Sequence, residues 1–498
     1  MVNNNLALVY GASDSSVDDA YYYYKPYEIK HTSISLKEVF NNKLRLEASA
    51  FSIESKIAKD KVTYSKYGAV NLYSSDGMIQ DCYYGGRAKR NYVDKTTNGA
   101  IGFLGSSEML DINPQPVKFL SSIAEDLEPY KVSKGTILIS RSGTIGNTTY
   151  VSETLSRFLV SEHAIRLIAK EYSGYVYAYL KTDIGKTIVK SNTFGAVVDQ
   201  VEPQHFENVL IPQAPDYIKN SIHEKVVQSY EMRDKSNELL DLAESKLLEE
   251  LKLPDFSEFK KIYDYRSLSI NSYSTKLSNL NLRFDGSYHL PLYNDILNHI
   301  SSNSSLIEYL RNSDISERIV LPGRFKRTYV ESEEHGIKFI GGKQISELSP
   351  NSEKYLSKSI HGTRLGEELL LHDKCILITR SGTIGKVTLV PKHWENWAAN
   401  EHIIRVFPAH ESIAGYLYCW LSSDYGRELI RKHTYGSVVD EIDANHVGDV
   451  PLPILKNLIV QKEINDLVLE ANDIRYQAYL LENEAINQVN ALIFDSSN

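Results

Sequence analysis

Two decapeptides in this 498-residue chain are nearly identical: residues 137–146 read ILISRSGTIG and residues 376–385 read ILITRSGTIG. Aligning them brings other stretches into step. Leu44-Arg45-Leu46-Glu47-Ala48-Ser49 answers Leu282-Arg283-Phe284-Asp285-Gly286-Ser287, and Gly86-Arg87-Ala88-Lys89-Arg90-Asn91-Tyr92-Val93 answers Gly323-Arg324-Phe325-Lys326-Arg327-Thr328-Tyr329-Val330. Ile101-Gly102-Phe103-Leu104-Gly105 answers Ile337-Lys338-Phe339-Ile340-Gly341, and Glu162-His163 answers Glu401-His402. Residues 174–212 answer 415–453, pairing Gly195 with Gly436, Asp199 with Asp440 and His205 with His446. Matches in one order, with small drifts in offset, mark an internal duplication whose loops vary and whose cores do not. A fold made twice in one chain places two equivalent surfaces on one molecule, and duplex DNA is the leading candidate for what carries two matching sites.

After each copy the sequence becomes glycine-free, charged and helix-favouring, over 216–252 and again over 456–491. In the second stretch Val460, Ile464, Leu467, Ala471, Ile474, Ala478, Leu481, Ala485, Val489 and Leu492 recur at heptad spacing, which predicts a coiled-coil seam. The first is rougher: Ile222, Val226, Leu240, Ala243, Leu247 and Leu251 are in register, but Ser229, Arg233 and Ser236 occupy seam positions. Two such helices in equivalent places are expected to pair with each other, the alternative being that each packs on its own globule. The expected organisation is a first globule over 1–213, a first helix over 214–254, a linker and second globule over 255–455, and a second helix over 456–498.

The length suits two independent cores and a helical element. No stretch approaches the ~20 apolar residues of a membrane span, and the start lacks a basic region followed by a long apolar run, so a cytoplasmic protein is expected. Cys82, Cys375 and Cys419 form no metal-type cluster and read as reduced, structural thiols. The formal charge of −9 argues against a nucleic-acid partner until it is divided by region. Residues 216–255 hold ten acidic and six basic side chains and residues 456–498 hold seven and three, so each helix carries −4 and the remainder only −1. Near-neutral globules can bear basic faces, while acidic helices suit protein partners.

Each RSGTIG block follows a short β-rich run and reads as a buried strand entering a loop. There, backbone NH groups would join Arg141, Ser142 and Thr144, or Arg380, Ser381 and Thr383, in a group able to hold a phosphate; the alternative is a hairpin whose arginine pairs with an internal acid. The glycine-led basic segments supply Arg87, Lys89, Arg90 and Tyr92, then Arg324, Lys326, Arg327 and Tyr329. Arginine grips guanine bidentately and lysine neutralises phosphate, so recurrence in both halves favours DNA contact. A third candidate is the polar loop at 190–195, with Asn192 and Thr193, and its counterpart at 432–437, with His433, Thr434 and Tyr435. Its side chains differ between halves inside a fixed frame, as expected of two readers of different sequences. Glu162-His163 and Glu401-His402 lack a third ligand or a nucleophile at useful spacing and read as structural. Pro254-Asp255 with Glu258 and Lys260 is too compact along the chain for a nuclease centre, and neither a methyltransferase-type cofactor loop nor the asparagine/aspartate-Pro-Pro-aromatic tetrapeptide occurs. The chain reads as non-catalytic, with no metal site.

The duplicated RSGTIG globules, the long helix after each and the missing catalytic motifs resemble the DNA-specificity subunit of type I restriction-modification systems, over nearly the whole chain. The resemblance implies an α+β architecture of two similar α/β target-recognition domains, held apart by two long antiparallel coiled-coil helices around a pseudo-two-fold axis. It implies that each domain reads half of a bipartite double-stranded DNA target. It also implies two methyltransferase subunits docked on the helices, with S-adenosylmethionine bound in those partners and no cofactor in this chain, and a translocating nuclease subunit able to join them. A helix seam of roughly 50 Å spans up to about 15 base pairs, so helix length would act as a ruler, and joining two weak readers raises avidity by roughly 10² to 10⁴. The alternatives are a specificity subunit of a methylation-only or anti-phage modification system, a two-site enzyme using the Glu-His pairs, and a scaffold that binds proteins only.

Overall fold

The computed structural model describes residues 31–41, 44, 51–86, 89–123, 126–142, 145–192, 200–263, 272–280, 282–350, 354–436 and 439–495. The chain divides into two compact units, Met1–Ile53 and Glu54–Asn498. In the first, the short helix Leu36–Asn41 starts at a reciprocal cap: the Ser35 NH donates to the Glu38 carboxylate at 2.6 Å and the Glu38 NH donates to Ser35 Oγ at 3.2 Å.

The second unit contains the same mixed α/β arrangement twice. In the first copy the apolar strand Ile137–Ser140 is buried throughout and lies inside an antiparallel sheet in the order Ile79–Tyr84, Ala164–Ala169, Ile137–Ser140, Thr148–Tyr150. In the second copy Ile376–Thr379 has the same place in the order Ser316–Val320, Ile403–Pro408, Ile376–Thr379, Val387–Leu389. Runs of β-branched residues buried on both faces form such interior strands. A smaller sheet stands beside each: Tyr92–Val93, Lys118–Ser121, Ala100–Leu104, Leu159–Val160, and then Tyr329–Val330, Tyr355–Ser357, Gly336–Ile340, Ala398–Ala399. A two-stranded ribbon completes each copy, Ala69–Asn71 with Leu210–Pro212 and Ser304–Tyr309 with Pro451–Leu455.

The two long helices are Asp216–Glu250, of 35 residues, and Leu458–Phe494, of 37. They run antiparallel, since Lys225 meets Glu484 at 3.5 Å and Lys246 meets Glu463 at 3.0 Å. Each passes through both cores. Ile222, Val226 and Tyr230 join Ala485, Val489 and Leu492 in the core of the first copy, while Ala243, Leu247 and Leu251 join Ile464 and Val468 in the core of the second. The copies are thereby fixed to a common two-helix rod. Glycine permits the closest approach: a Cβ on Gly174 would lie 2.7 Å from the His223 carbonyl oxygen, and one on Gly415 would lie 2.3 Å from that of Asn465.

The seam of the first long helix follows the heptad reading at Ile222, Val226, Ala243, Leu247 and Leu251, with Ser229 and Ser236 fully buried, but Leu240 is only half-buried and the adjacent Leu239 is buried instead. That of the second requires a correction. Ile464, Ala471, Ala478, Ala485, Val489 and Leu492 are buried as expected, but Leu467, Ile474 and Leu481 are only half-buried and the stripe runs through Val468, Arg475 and Glu482. The apolar choice was the wrong one because the polar seam residues of the first helix need partners. Arg233 donates to Glu482 at 2.6 Å, and Arg475 donates to Ser236 Oγ at 3.1 Å and to the Asn237 side-chain oxygen at 2.9 Å. Ser229 Oγ donates to the Ala478 carbonyl at 2.7 Å, and Glu482 also accepts from Tyr177 and, at 2.8 Å, from Ser349. This polar centre lies near the middle of both helices and admits one register, since a slip strands charges in an apolar seam. Among the described residues no helix is long and apolar enough to cross a membrane.

Candidate nucleic-acid interface

Each inner strand ends in a glycine turn, with Gly146 at φ +84° and Gly385 at φ +81°. Beside that turn lies the tight connection carrying the Glu-His pair. A fully buried arginine on the neighbouring strand holds the connection from within: Arg166 donates to the carbonyls of Val160 at 2.7 Å and Ala164 at 2.9 Å, and Arg405 donates to those of Ala399, Asn400 and Ile403. Burial lowers both guanidinium pKa values, that of Arg405 to about 10, so both stay charged and act as multi-dentate clamps.

On this frame the basic segment and the RSGTIG turn of each copy converge, and in the second copy the loop at 432–436 joins them through Glu441. Arg90 pairs with Glu162 and Arg327 with Glu401, both acids being buried. Arg141 pairs with Glu202 and lies 4.2 Å from the Tyr84 ring centroid, and Arg380 pairs with Glu441. Ser142 Oγ meets His163 Nδ1 at 3.1 Å, and Ser381 Oγ meets His402 Nδ1 at 2.9 Å. Burial pulls the Arg90 pKa down, but contacts with Tyr92, Tyr130 and Glu162 reverse that and leave it raised; Arg327 is raised in the same way through Glu401 and Tyr329. In each Glu-His pair the acid is thus buried in an ion pair with an arginine, while the histidine is held by a hydroxyl and keeps 44% (His163) or 39% (His402) of its side chain exposed. The acids that neutralise the second pair of arginines occupy non-equivalent positions. Ser142 bridges to Gln200 and Ser381 to Glu441, so Glu441 corresponds to Gln200, while Glu202 corresponds to Asp443, the other residue capped by a histidine.

These contacts sort the sequence candidates. Arg141, Asn192 and His433 are buried and engaged internally: Asn192 donates to the Ile188 carbonyl at 2.9 Å, and His433 packs against Tyr288 and His446 at ring separations of 5.7 Å. Burial, then Lys432, His446 and Arg283, lower the His433 pKa to about 3, so its ring is neutral. These three are held by contacts within the fold, and Arg90, Arg327 and Arg380 are each paired with an acid. Ser142 and Ser381 are half-buried behind their histidines, and Thr434 is half-buried in its loop. Lys89, Tyr92, Arg324, Lys326, Tyr329, Thr383 and Tyr435 are exposed, with Arg324 at 3.5 Å from Glu441. Arg87, Thr144 and Thr193 lie outside the described residues. Sequence reasoning missed Lys118 and Lys354, whose ammonium groups lie 5.6 and 5.7 Å from the rings of Tyr92 and Tyr329. The repeated strings Lys118-Phe119-Leu120-Ser121 and Lys354-Tyr355-Leu356-Ser357 were the available signal.

Two matching polar surfaces, each built of neutralised arginines, a hydroxyl-held histidine and exposed Lys and Tyr side chains, and both fixed to one helical rod, define a twin-headed binding protein. Residues 83–239 match the model of the type I restriction modification DNA specificity domain, and the second half of the chain repeats its framework. Over residues 83–239 the chain is therefore similar to the DNA specificity domain of the type I restriction-modification class. It is also similar to the type I restriction-modification system S subunit from M. genitalium, at 11% identity over 87% of this chain and 96% of that one with a TM-score of 0.33. The HsdS subunit from Thermoanaerobacter tengcongensis aligns at 15% identity over 87% of this chain and 98% of that one with a TM-score of 0.26. At these values the assignment rests on the matched domain and its internal repeat. No curated protein sequence matches the chain.

Proposed function

We propose that this chain is the DNA-binding specificity subunit of a type I modification or restriction complex. Each copy reads one half of a bipartite duplex target, and the chain performs no reaction itself. The observation that carries the reading is the twice-built constellation of Arg90–Glu162 with Ser142–His163 and Arg327–Glu401 with Ser381–His402, set on a shared pair of helices. Acid-paired arginines hold a loop in shape without adding net charge. Exposed Lys89, Lys118, Lys326 and Lys354 then supply the phosphate attraction that any duplex-binding surface needs, and the exposed rings of Tyr92, Tyr329 and Tyr435 are suited to meeting a base edge or sugar. The acidic rod is suited to protein partners, which we assign as two methyltransferase subunits holding S-adenosylmethionine, with a translocating nuclease as a further partner. Expression with its methyltransferase in a host, followed by sequencing of methylated bases, is expected to give two short blocks around a fixed gap. A single continuous block, or methylation without sequence preference, refutes the proposal.

A further inference from the structure

The loop entering 432–436 is pinned in three ways. Tyr435 and Glu441 exchange backbone hydrogen bonds at 3.0 and 2.7 Å, closing its base. Gly436 turns the chain at φ +128°, where a Cβ would lie 2.1 Å from the Val439 carbonyl oxygen. The third tie comes from far away in sequence. Arg283 Nη2 donates to the Thr434 carbonyl at 2.9 Å, and Nη1 reaches the His433 carbonyl at 3.5 Å. The same guanidinium grips Asp285 through Nε and Nη2, each at 2.7 Å, and lies 4.7 Å from the centroid of the Tyr288 ring, which packs edge-on against buried His433.

This arrangement is unsuited to phosphate binding, because Asp285 already satisfies the charge and the side chain is only 20% exposed. It is suited to holding a backbone in one shape: a planar fork that spans two successive carbonyls and a carboxylate leaves the loop little freedom, and a lysine cannot span all three. The loop it holds carries Tyr435 where the first copy has Phe194 and His433 where that copy has Asn192, while Thr434 answers an identical Thr193.

We infer that Arg283 is a specificity-positioning residue, which fixes the conformation in which residues 434–436 meet the half-site read by the second copy. The inference rests on the proposed function and deepens it. A base contact depends on sub-ångström placement of its donor, so a loosened loop loses discrimination at the position it reads before it loses general affinity.

The test compares the full chain with its methyltransferase partner, unaltered and as Arg283→Ala and Arg283→Lys, by sequencing methylated bases and by measuring binding to duplexes with single changes in each half-site. For Arg283→Ala we expect discrimination at one or two positions of one half-site to fall by about tenfold or more, with the other half-site read unchanged as an internal control of folding. Arg283→Lys is expected to relax the same positions to a lesser degree. If the alanine variant does not fold, the lysine variant decides alone: relaxation confined to one half-site supports the inference, and an unaltered motif overturns it. Uniform weakening of all duplexes with an unchanged motif also overturns it, since that marks a phosphate contact or a merely structural role. An unaltered complex with no bipartite motif overturns the proposed function and this inference together, whereas a bipartite motif indifferent to both variants overturns the inference alone.

Discussion

Replacing Glu482 with alanine tests whether the polar centre of the two-helix rod fixes its register. Glu482 is 1% exposed and accepts hydrogen bonds from Arg233, Tyr177 and Ser349, with Lys181 at 3.8 Å. Removing it leaves the Arg233 guanidinium, 11% exposed, without its carboxylate in a seam that water barely reaches. A buried charge stripped of its partner costs about 3–5 kcal/mol. Titration gives a second route to the magnitude. Burial by itself raises the Glu482 pKa, but Arg233, Lys181, Tyr177 and Ser349 outweigh it and hold the folded-state value at about 2 against an ordinary 4.5. At ~1.4 kcal/mol per pH unit that difference corresponds to roughly 3 kcal/mol. Because the folded value is depressed, this stability is present above pH ~4.5 and is lost as the pH falls towards about 2. Denaturant titrations of the unaltered chain and of Glu482→Ala, repeated between pH 2 and pH 7, therefore have defined outcomes. The variant should unfold at lower denaturant near neutrality, and the gap should close under acid. Glu482→Leu with Arg233→Met should recover most of the loss, because an apolar pair of similar volume replaces a buried ion pair at little cost. A Glu482→Ala variant within about 1 kcal/mol of the unaltered chain, or one whose acid sensitivity is unchanged, refutes the reasoning.

Three further outcomes follow from other contacts. The two copies also touch directly, through Lys386–Asp111 at 3.2 Å and the Ile112 NH to the Ser346 carbonyl at 2.9 Å, beside a cavity of about 140 Å³ lined by Asp111, Glu244 and Glu347. Burial raises these carboxyls to about 6, 7 and 8, outweighing the pull of Lys386 on Asp111, so their folded form favours the proton. Stability from this contact should then decline as pH rises from about 4 to about 8, and Glu347→Gln should flatten the upper part of that decline in a stability-against-pH series. Gly415→Ala places a methyl group 2.3 Å from a backbone oxygen that cannot swing aside, and should cost about 1–3 kcal/mol in the same denaturant assay, whereas Gly362→Ala, with open space around its Cβ position, should cost less than 1. Inserting seven residues into each long helix preserves the phase of the buried stripe, lengthens the rod by about 10 Å and should widen the gap between methylated blocks by about three base pairs; a gap of unaltered length sinks the ruler idea.

Repetition made the frame legible. The matched ILISRSGTIG and ILITRSGTIG blocks gave the strand-and-turn pair, and the glycine-free stretches gave the two long helices. The first helix was read in its true register except at Leu240, which is half-buried beside a buried Leu239, because its polar seam residues were accepted. In the second helix Leu467, Ile474 and Leu481 offered an apolar stripe one residue away from the buried one, and heptad spacing alone cannot choose between adjacent stripes. The choice belongs to Arg233, Ser236 and Asn237 on the facing helix, which need Glu482 and Arg475 opposite them.

The candidate surface shows the same division. Recurrence singled out the basic loops and the Glu-His pairs but did not reveal that they bind each other, since Arg90 and Glu162 lie 72 residues apart and Arg327 and Glu401 lie 74 apart. Whether an arginine faces solvent or an acid depends on which strand folds beside it, and that is set by the sheet order, with the small sheet brought against the large one. The sequence by itself determined that this protein is one architecture built twice, with a helix after each copy, because hydrophobic period and glycine placement are local properties of the chain. The tertiary structure alone decided which basic residues remain open to a ligand and which polar residues fill the rod, because charge pairing and burial are properties of neighbours brought together only by folding.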